Sequence, residues 1–122
     1  MSTVLVVEDN ENNLMLVRDV LQLKGYKVLE AMTGAEGLRL AAEGKPDLIL
    51  MDIQLPDIDG ITALARLRAD SATRAIPVLA VSASVMPEEQ QQITASGFEG
   101  FIAKPLNMKS FLQTIERFVG KA

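Results

Sequence analysis

The chain has 122 residues with 12 Lys+Arg against 16 Asp+Glu, a net charge of −4, which argues against holding a nucleic-acid backbone by bulk electrostatics. Aromatic residues make up 4% and Trp is absent, which argues against a stacking platform for bases as well. The chain has no Cys and no His, which rules out disulfides, thiolate nucleophiles, zinc–thiolate sites and imidazole chemistry.

Hydrophobic content of 48% with 23% charged residues is ordinary globular usage, at a length that suits one domain with a single core. Met1 to Val4 shows no basic region followed by an apolar stretch, so no signal peptide is expected. No apolar run approaches the length needed to span a bilayer. A soluble, cytoplasmic protein is expected.

Val4-Leu5-Val6-Val7 is a short apolar run that ends in acid, Glu8-Asp9. Asn10 to Lys24 follows with Leu14, Val17 and Leu21 on one helical face, and Gly25 is placed to stop the helix. Tyr26 to Ala31 reads as a strand and Gly34 to Glu43 as a helix with Leu38, Ala41 and Ala42 inward. Leu48-Ile49-Leu50-Met51 has no polar member, so it predicts a strand covered on both faces, between Pro46 and the Leu55-Pro56-Asp57 turn. It delivers Asp52 at its C-terminal end. Ile61, Leu64 and Leu67 have helical spacing that runs out near Asp70-Ser71.

Ile76 to Val81 is a further apolar strand, ending at Ser82. A fourth helix is predicted over Pro87 to Ala95, with Pro in its first turn. It is polar through Glu88 to Gln92 and offers mainly Ile93 to a core, so it is expected to be thinly anchored. Phe98 to Ala103 reads as a fifth strand, ending at Lys104-Pro105. Asn107 is placed to cap a last helix with Phe111, Leu112, Ile115 and Phe118 on one face. Five strand–helix alternations with short connections predict a single α/β domain, a parallel sheet wound right-handed.

In a parallel sheet all C-terminal strand ends lie on one edge, the edge where open α/β sheets bind ligands. Glu8, Asp9, Asp52, Ser82 and Lys104 therefore converge. Singly, an acid after a strand is usually a cap or turn former and a lone Lys is solvated. Together they differ, because two like charges about 4 Å apart repel by about 4 kcal/mol at an effective dielectric near 20. Such a cluster holds a proton or a cation. With oxygen ligands only, and few of them, Mg²⁺ keeping several waters is the natural choice. A carboxylate beside Mg²⁺ and an ammonium, with a hydroxyl opposite, is equipped to receive a phosphoryl group. Asp52 is the candidate acceptor, since it stands alone on the central strand while Glu8 and Asp9 can share the metal. Without His the donor must be another molecule.

Val6 to Asn10 (VVEDN), Leu48 to Gly60 (LILMDIQLPDIDG), Ala80 to Ser84 (AVSAS) and Phe101 to Pro105 (FIAKP) resemble, in order, the motifs of the receiver domain of response regulators in two-component signalling. The likeness covers essentially the whole chain and is nearest to stand-alone regulators of the DivK and CheY type. It implies one flavodoxin-like, doubly wound five-stranded sheet of order 2-1-3-4-5 with five helices, spanning residues 1–122 without an output domain.

By the same resemblance Asp52 is the phosphoacceptor, and Asp9, Asp52 and the Gln54 backbone carbonyl are Mg²⁺ ligands, with Glu8 acting through metal-bound water. Lys104 pairs with the phosphoryl group, Ser82 is the switch hydroxyl and Phe101 the aromatic switch partner. The Lys104–Pro105 bond is expected to be cis. Implied partners are a sensor histidine kinase or histidine phosphotransfer protein upstream, and a protein target on the surface of the fourth helix, fifth strand and fifth helix. A monomer is implied, with no nucleic acid or membrane partner and no activity beyond its own phosphorylation and dephosphorylation. Ser82 departs from the family's usual Thr, losing the methyl that limits its rotamers, and Phe101 replaces the frequent Tyr and so lacks its hydroxyl.

Two other readings of the edge are a small phosphatase working through an aspartyl-phosphate and a flavodoxin-like cofactor binder. The first lacks a cap segment, and the second lacks a Gly-rich phosphate loop after the first strand.

Overall fold

Runs such as Val4 to Val7 and Leu48 to Met51 cannot form half-exposed strands, because they have no polar face to give to water. The computed structural model, which describes residues 2–83, 86–104 and 106–120, covers them on both sides. The elements follow one another as β1 (Thr3–Val7), α1 (Glu11–Leu23), β2 (Lys27–Ala31), α2 (Gly34–Gly44), β3 (Leu48–Asp52), α3 (Gly60–Ala69), β4 (Val78–Ser82), α4 (Pro87–Ala95), β5 (Gly100–Ala103) and α5 (Met108–Val119). The strands form one sheet in the order β2-β1-β3-β4-β5, and every neighbouring pair is parallel. This is the parallel α/β sheet that the alternation predicts, in the doubly wound order that the resemblance implies.

Strand side chains alternate between faces, and the two halves of the core divide accordingly. Leu5, Val7, Ile49, Met51, Val78 and Ala80 join Ala41, Leu64, Leu67 and Ile93 beneath α2, α3 and α4. Val4, Val6, Leu48, Leu50 and Leu79 join Leu14, Val17, Leu21, Phe111 and Ile115 beneath α1 and α5. The central β3 is buried at all five positions, so Asp52 stands at the end of the most deeply covered strand.

Four helices begin with a side-chain cap: Asn10, Thr33, Asp59 and Asn107 each accept the N–H three residues on, satisfying a donor the helix itself leaves without a partner. α4 has Met86 at its N-cap position, with no such bond, and buries only Ile93. The thin anchoring read from its Glu and Gln residues is therefore a property of the fold.

Three strands start later than their apolar runs. The Tyr26 N–H donates to the Leu21 carbonyl at 3.0 Å after Gly25 at φ 94°, the pattern of a helix end, so β2 begins at Lys27. Ile76 donates to Thr73 at 3.1 Å and belongs to the turn before β4. Phe98 buries its ring in the α2–α4 half of the core before β5 begins at Gly100. Pro105, and with it the Lys104–Pro105 bond, lies outside the described residues, as does Ser84.

Gly60 sets how closely α3 approaches the end of β3. A Cβ there would stand 2.9 Å from the Ile53 Cα and 3.0 Å from the Asp52 carbonyl oxygen, both backbone atoms that cannot rotate aside. At Gly44 the corresponding atom meets only the flexible end of Leu29. Gly60→Ala is therefore expected to cost about 2 kcal/mol in urea denaturation, as overpacking against backbone does, and Gly44→Ala about a quarter of that. Equal losses in the two variants would contradict this account of the β3–α3 junction.

Candidate functional site

Glu8, Asp52, Ser82 and Lys104 each stand at, or one step past, the end of a strand, with Asp9 one residue further on. The Glu8 N–H donates to the Ala31 carbonyl at 2.9 Å, Ile53 to Val81 at 3.1 Å and Lys104 to Ser82 at 2.9 Å. The ladder thus holds the backbone rigidly just where the carboxylates and the ammonium leave it, which gives the side chains a preorganised frame. Glu8 and Asp52 are 4% and 5% exposed and Ser82 3%, while Asp9 is open to solvent.

The convergence expected along this edge is present. Glu8, Asp9 and Asp52 each offer a carboxylate oxygen, and these oxygens lie within 4.8 Å of one another. Lys104 Nζ donates to both oxygens of Glu8, at 2.9 and 3.1 Å, and to Asp52 Oδ2 at 3.0 Å. The other oxygen of Asp52, Oδ1, accepts the Gln54 N–H at 2.9 Å. Ser82 closes β4 beside Asp52, whose register partner is Val81. Phe101, opposite Ala80 in β5, is half-buried and packs against the α2–α4 half of the core. A cleft of about 390 Å³ opens beside the acids between α1 and the start of α5, with Glu8 and Lys104 in its wall and Leu16, Leu106 and Phe111 along its apolar side.

Asn13 belongs to this cluster and was not singled out from the sequence. Its Nδ2 donates to Glu8 Oε1 at 3.1 Å while its N–H is held by the cap Asn10 at 3.0 Å. The Asn-x-x-Asn spacing at the helix start is the signal that could have found it, since the cap turns residue 13 back toward the strand end.

Burial pushes the Glu8 carboxyl up to about 7, helped by its hydrogen bond with Asp52 and opposed by Lys104 and Asn13. Asp52 moves the other way. Burial would raise it, but the hydrogen bonds with Glu8, the Gln54 N–H and Lys104 outweigh burial and hold it below the usual range. Lys104 is desolvated too, yet its bonds to Glu8 and Asp52 raise it. Glu8, the Gln54 N–H and the Lys104 ammonium together keep Asp52 ionised, and the surplus negative charge is relieved by a proton on Glu8.

An all-oxygen donor set with two buried carboxylates and one at the surface fits a hard divalent cation such as Mg²⁺, which would take over the role of that proton. The metal-free protein should show the linkage directly. Glu8 ionises near 4.5 ordinarily and near 7 when folded, so between those values the folded chain binds more protons than the unfolded one. Stability accordingly falls as pH rises from about 5 to about 7, by on the order of 2 kcal/mol. Asp52, shifted downward, contributes only at lower pH. Thermal unfolding at a series of pH values should show this decline in the wild type, its absence in Glu8→Gln, and its reversal by Mg²⁺ at pH 8.

Residues 4–116 match the model of the response regulator receiver domain. The polar-differentiation response regulator DivK of Brucella anthropi is 42% identical over 120 residues, 98% of either chain. Among solved structures, the chemotaxis response regulator CheY4 of Vibrio cholerae superimposes with a TM-score of 0.90 at 31% identity, over 97% of this chain and 98% of that one. The receiver domain of a sensor histidine kinase from Pseudomonas aeruginosa, with a magnesium ion coordinated in its active-site cleft, gives 0.89 at 29% identity over 98% of both. The family model, a relative matched along nearly its whole length and the shared fold agree, and this chain belongs to the response regulator receiver domains.

Proposed function

We propose that this protein is a phosphorelay response regulator of the DivK type that takes a phosphoryl group onto Asp52 from a phosphohistidine of a sensor kinase or phosphotransfer protein. The observation that carries the reading is the contact of Lys104 Nζ with Asp52 Oδ2 at 3.0 Å, within a cluster whose other acids share the same edge.

Asp52 is the nucleophile. Its carboxylate is held ionised, an oxygen forms the new bond to phosphorus, and the bond from phosphorus to the donor's ring nitrogen breaks with its electron pair returning to the ring. The Asp52 backbone is fixed by the ladder and Oδ1 by the Gln54 N–H, so little rearrangement is needed before attack. Asp9, Asp52 and the Gln54 carbonyl would hold Mg²⁺, with Glu8 reaching it through water. When bound, the metal supplies positive charge to the oxygens of the transferring group. Lys104 supplies the second positive charge and, after transfer, exchanges its contact with Asp52 Oδ2 for a phosphoryl oxygen.

The switch would use Ser82 and Phe101. Ser82 turns its hydroxyl to the phosphoryl group, β4 follows, and Phe101 moves from its half-buried position into the space released. The surface of α4, β5 and α5 changes, and a protein partner reads it. α4 is suited to this, because one buried side chain and no cap leave little to break. The protein would act in the cytoplasm as a monomer, its only chemistry being its own phosphorylation and dephosphorylation; among the described residues no helix is long and apolar enough to cross a membrane.

With acetyl phosphate and Mg²⁺, the intact mass should rise by one phosphoryl group, the label should map to Asp52, and Asp52→Asn should remain unlabelled. Turnover of phosphate esters instead would favour the phosphatase reading. Lys104→Ala should keep Mg²⁺ affinity at least at the wild-type level, since the acids lose a competing charge. It should nevertheless lack the amide shift changes in α4 and β5 that the wild type shows on phosphorylation. Wild-type shift changes in that variant would remove Lys104 from the switch.

A further inference from the structure

A backbone carbonyl makes a good ligand for Mg²⁺ only if its loop is held in place, because this ion tolerates little departure from octahedral geometry. Gln54 lies in the loop of residues 53–59, whose two ends are secured close to β3. The Gly60 N–H donates to the Ile53 carbonyl at 2.9 Å, and Gln54 and Asp59 form an isolated antiparallel bridge. These bonds close the base of the loop. They leave its tip to be fixed by something else.

The tip is fixed by Asp57. Its Oδ1 accepts the Gly34 N–H at 2.7 Å and its Oδ2 accepts the Ala35 N–H at 2.9 Å, across more than twenty residues of sequence. Those two donors are the first of α2, and the helix has no internal partner for them. The remaining first-turn groups are already satisfied: Glu36 donates to the Thr33 hydroxyl at 3.1 Å and Gly37 to the Thr33 carbonyl at 3.0 Å. The loop thus completes the start of α2. The carboxylate also sits where the helix dipole favours negative charge, and the two N–H bonds hold its carboxyl below the ordinary range.

Steric evidence points the same way. Gly34 is buried at the start of α2, and a Cβ on it would overlap Ile58 Cγ1 and stand 2.8 Å from Ile58 Cδ1. Ile58 in turn packs on the α2–α4 half of the core. A residue without a side chain stands where Ile58 meets the helix, so the contact is close and apolar beneath the polar clamp.

We infer that Asp57 is a positioning residue of the Mg²⁺ site: by clamping the loop tip to the N-terminus of α2 it holds the Gln54 carbonyl ready for the metal. The inference rests on the proposed reading that this carbonyl is a ligand. It makes α2, which contributes no side chain to the acid cluster, part of the metal site's support.

Isothermal titration of purified protein with MgCl₂ tests it, alongside hydrogen exchange of the loop amides without metal. Asp57→Ala should weaken Mg²⁺ binding about tenfold, the scale on which residues supporting a ligand act, and should speed exchange at Gln54 in the metal-free protein. Asp57→Asn, which keeps one acceptor oxygen for the two N–H groups, should fall between. Thr33→Ala is the control: it removes the cap of α2 without touching the loop, so it should lower the thermal midpoint and leave Mg²⁺ affinity and Gln54 exchange at wild-type values. Wild-type affinity in Asp57→Ala would overturn the proposal, as would an equal loss in Thr33→Ala. Wild-type affinity in Asp9→Asn would instead show that the metal reading itself is wrong, and the positioning role would fall with it.

Discussion

Everything at the C-terminal edge of this sheet follows from a repulsion. Parallel strands bring Glu8, Asp9 and Asp52 to within 4.8 Å of one another, and two of the three are buried. Left alone, such a group would drive the strand ends apart, so the fold supplies compensation. Lys104 contacts both buried acids, and Glu8 retains a proton to about pH 7. The compensation is incomplete by design of the charges: three carboxylates face one ammonium. That imbalance supports the proposal that the edge takes a cation and, with the cation bound, tolerates the further negative charge of a phosphoryl group. A cluster optimised for stability alone would have apolar residues here.

The same reasoning explains which elements are rigid and which are loose. β1 and β3 carry the acids and have cover on both faces, and the residues just beyond their ends are still held by ladder bonds. α4 follows β4 directly, and it is the helix with no side-chain cap and one buried side chain. α5, with Phe111 and Ile115 buried and Asn107 as its cap, anchors the far side of β5. A perturbation at Ser82 therefore meets a fixed frame behind it and a weakly held helix ahead of it, and the cheapest response is movement of α4. This distribution of anchoring supports the proposed switch, in which the strand framework stays fixed while Phe101 and α4 move.

Much of this was legible in the chain. Apolar runs without polar members predicted buried parallel strands, and the polar residues ending the first, third, fourth and fifth runs predicted which groups meet, because strand direction alone places them on one edge. The thin core contribution of α4 was visible in Glu88 to Gln92. Less legible were contacts that depend on turns rather than periods. Asn13 reaches Glu8 only because Asn10 caps the helix at that angle. Asp57 reads as an ordinary turn residue after Pro56, and nothing local reveals that its partners are Gly34 and Ala35. Gly60 likewise reads as a turn glycine, although its role is to admit the backbone of Ile53 and Asp52. Strand starts were misjudged where apolar residues serve another element, as with Tyr26 at the end of α1 and Phe98 under α4.

These tertiary contacts have a common purpose in the loop between β3 and α3. A loop that carries a backbone ligand cannot rely on side-chain identity for its accuracy, since every residue has a carbonyl. It must be placed by its surroundings instead. Gly60 brings its C-terminal end against β3, Asp59 starts α3 by holding the Thr62 N–H at 2.8 Å, and Asp57 with Gly34 docks its tip on α2. Each of the three tasks uses a small or short polar residue that composition and periodicity treat as neutral. On the proposed reading of the Gln54 carbonyl, the acidic triad is only the visible half of the site. The other half is the set of glycines and aspartates that decide where a carbonyl with no side-chain signature will stand.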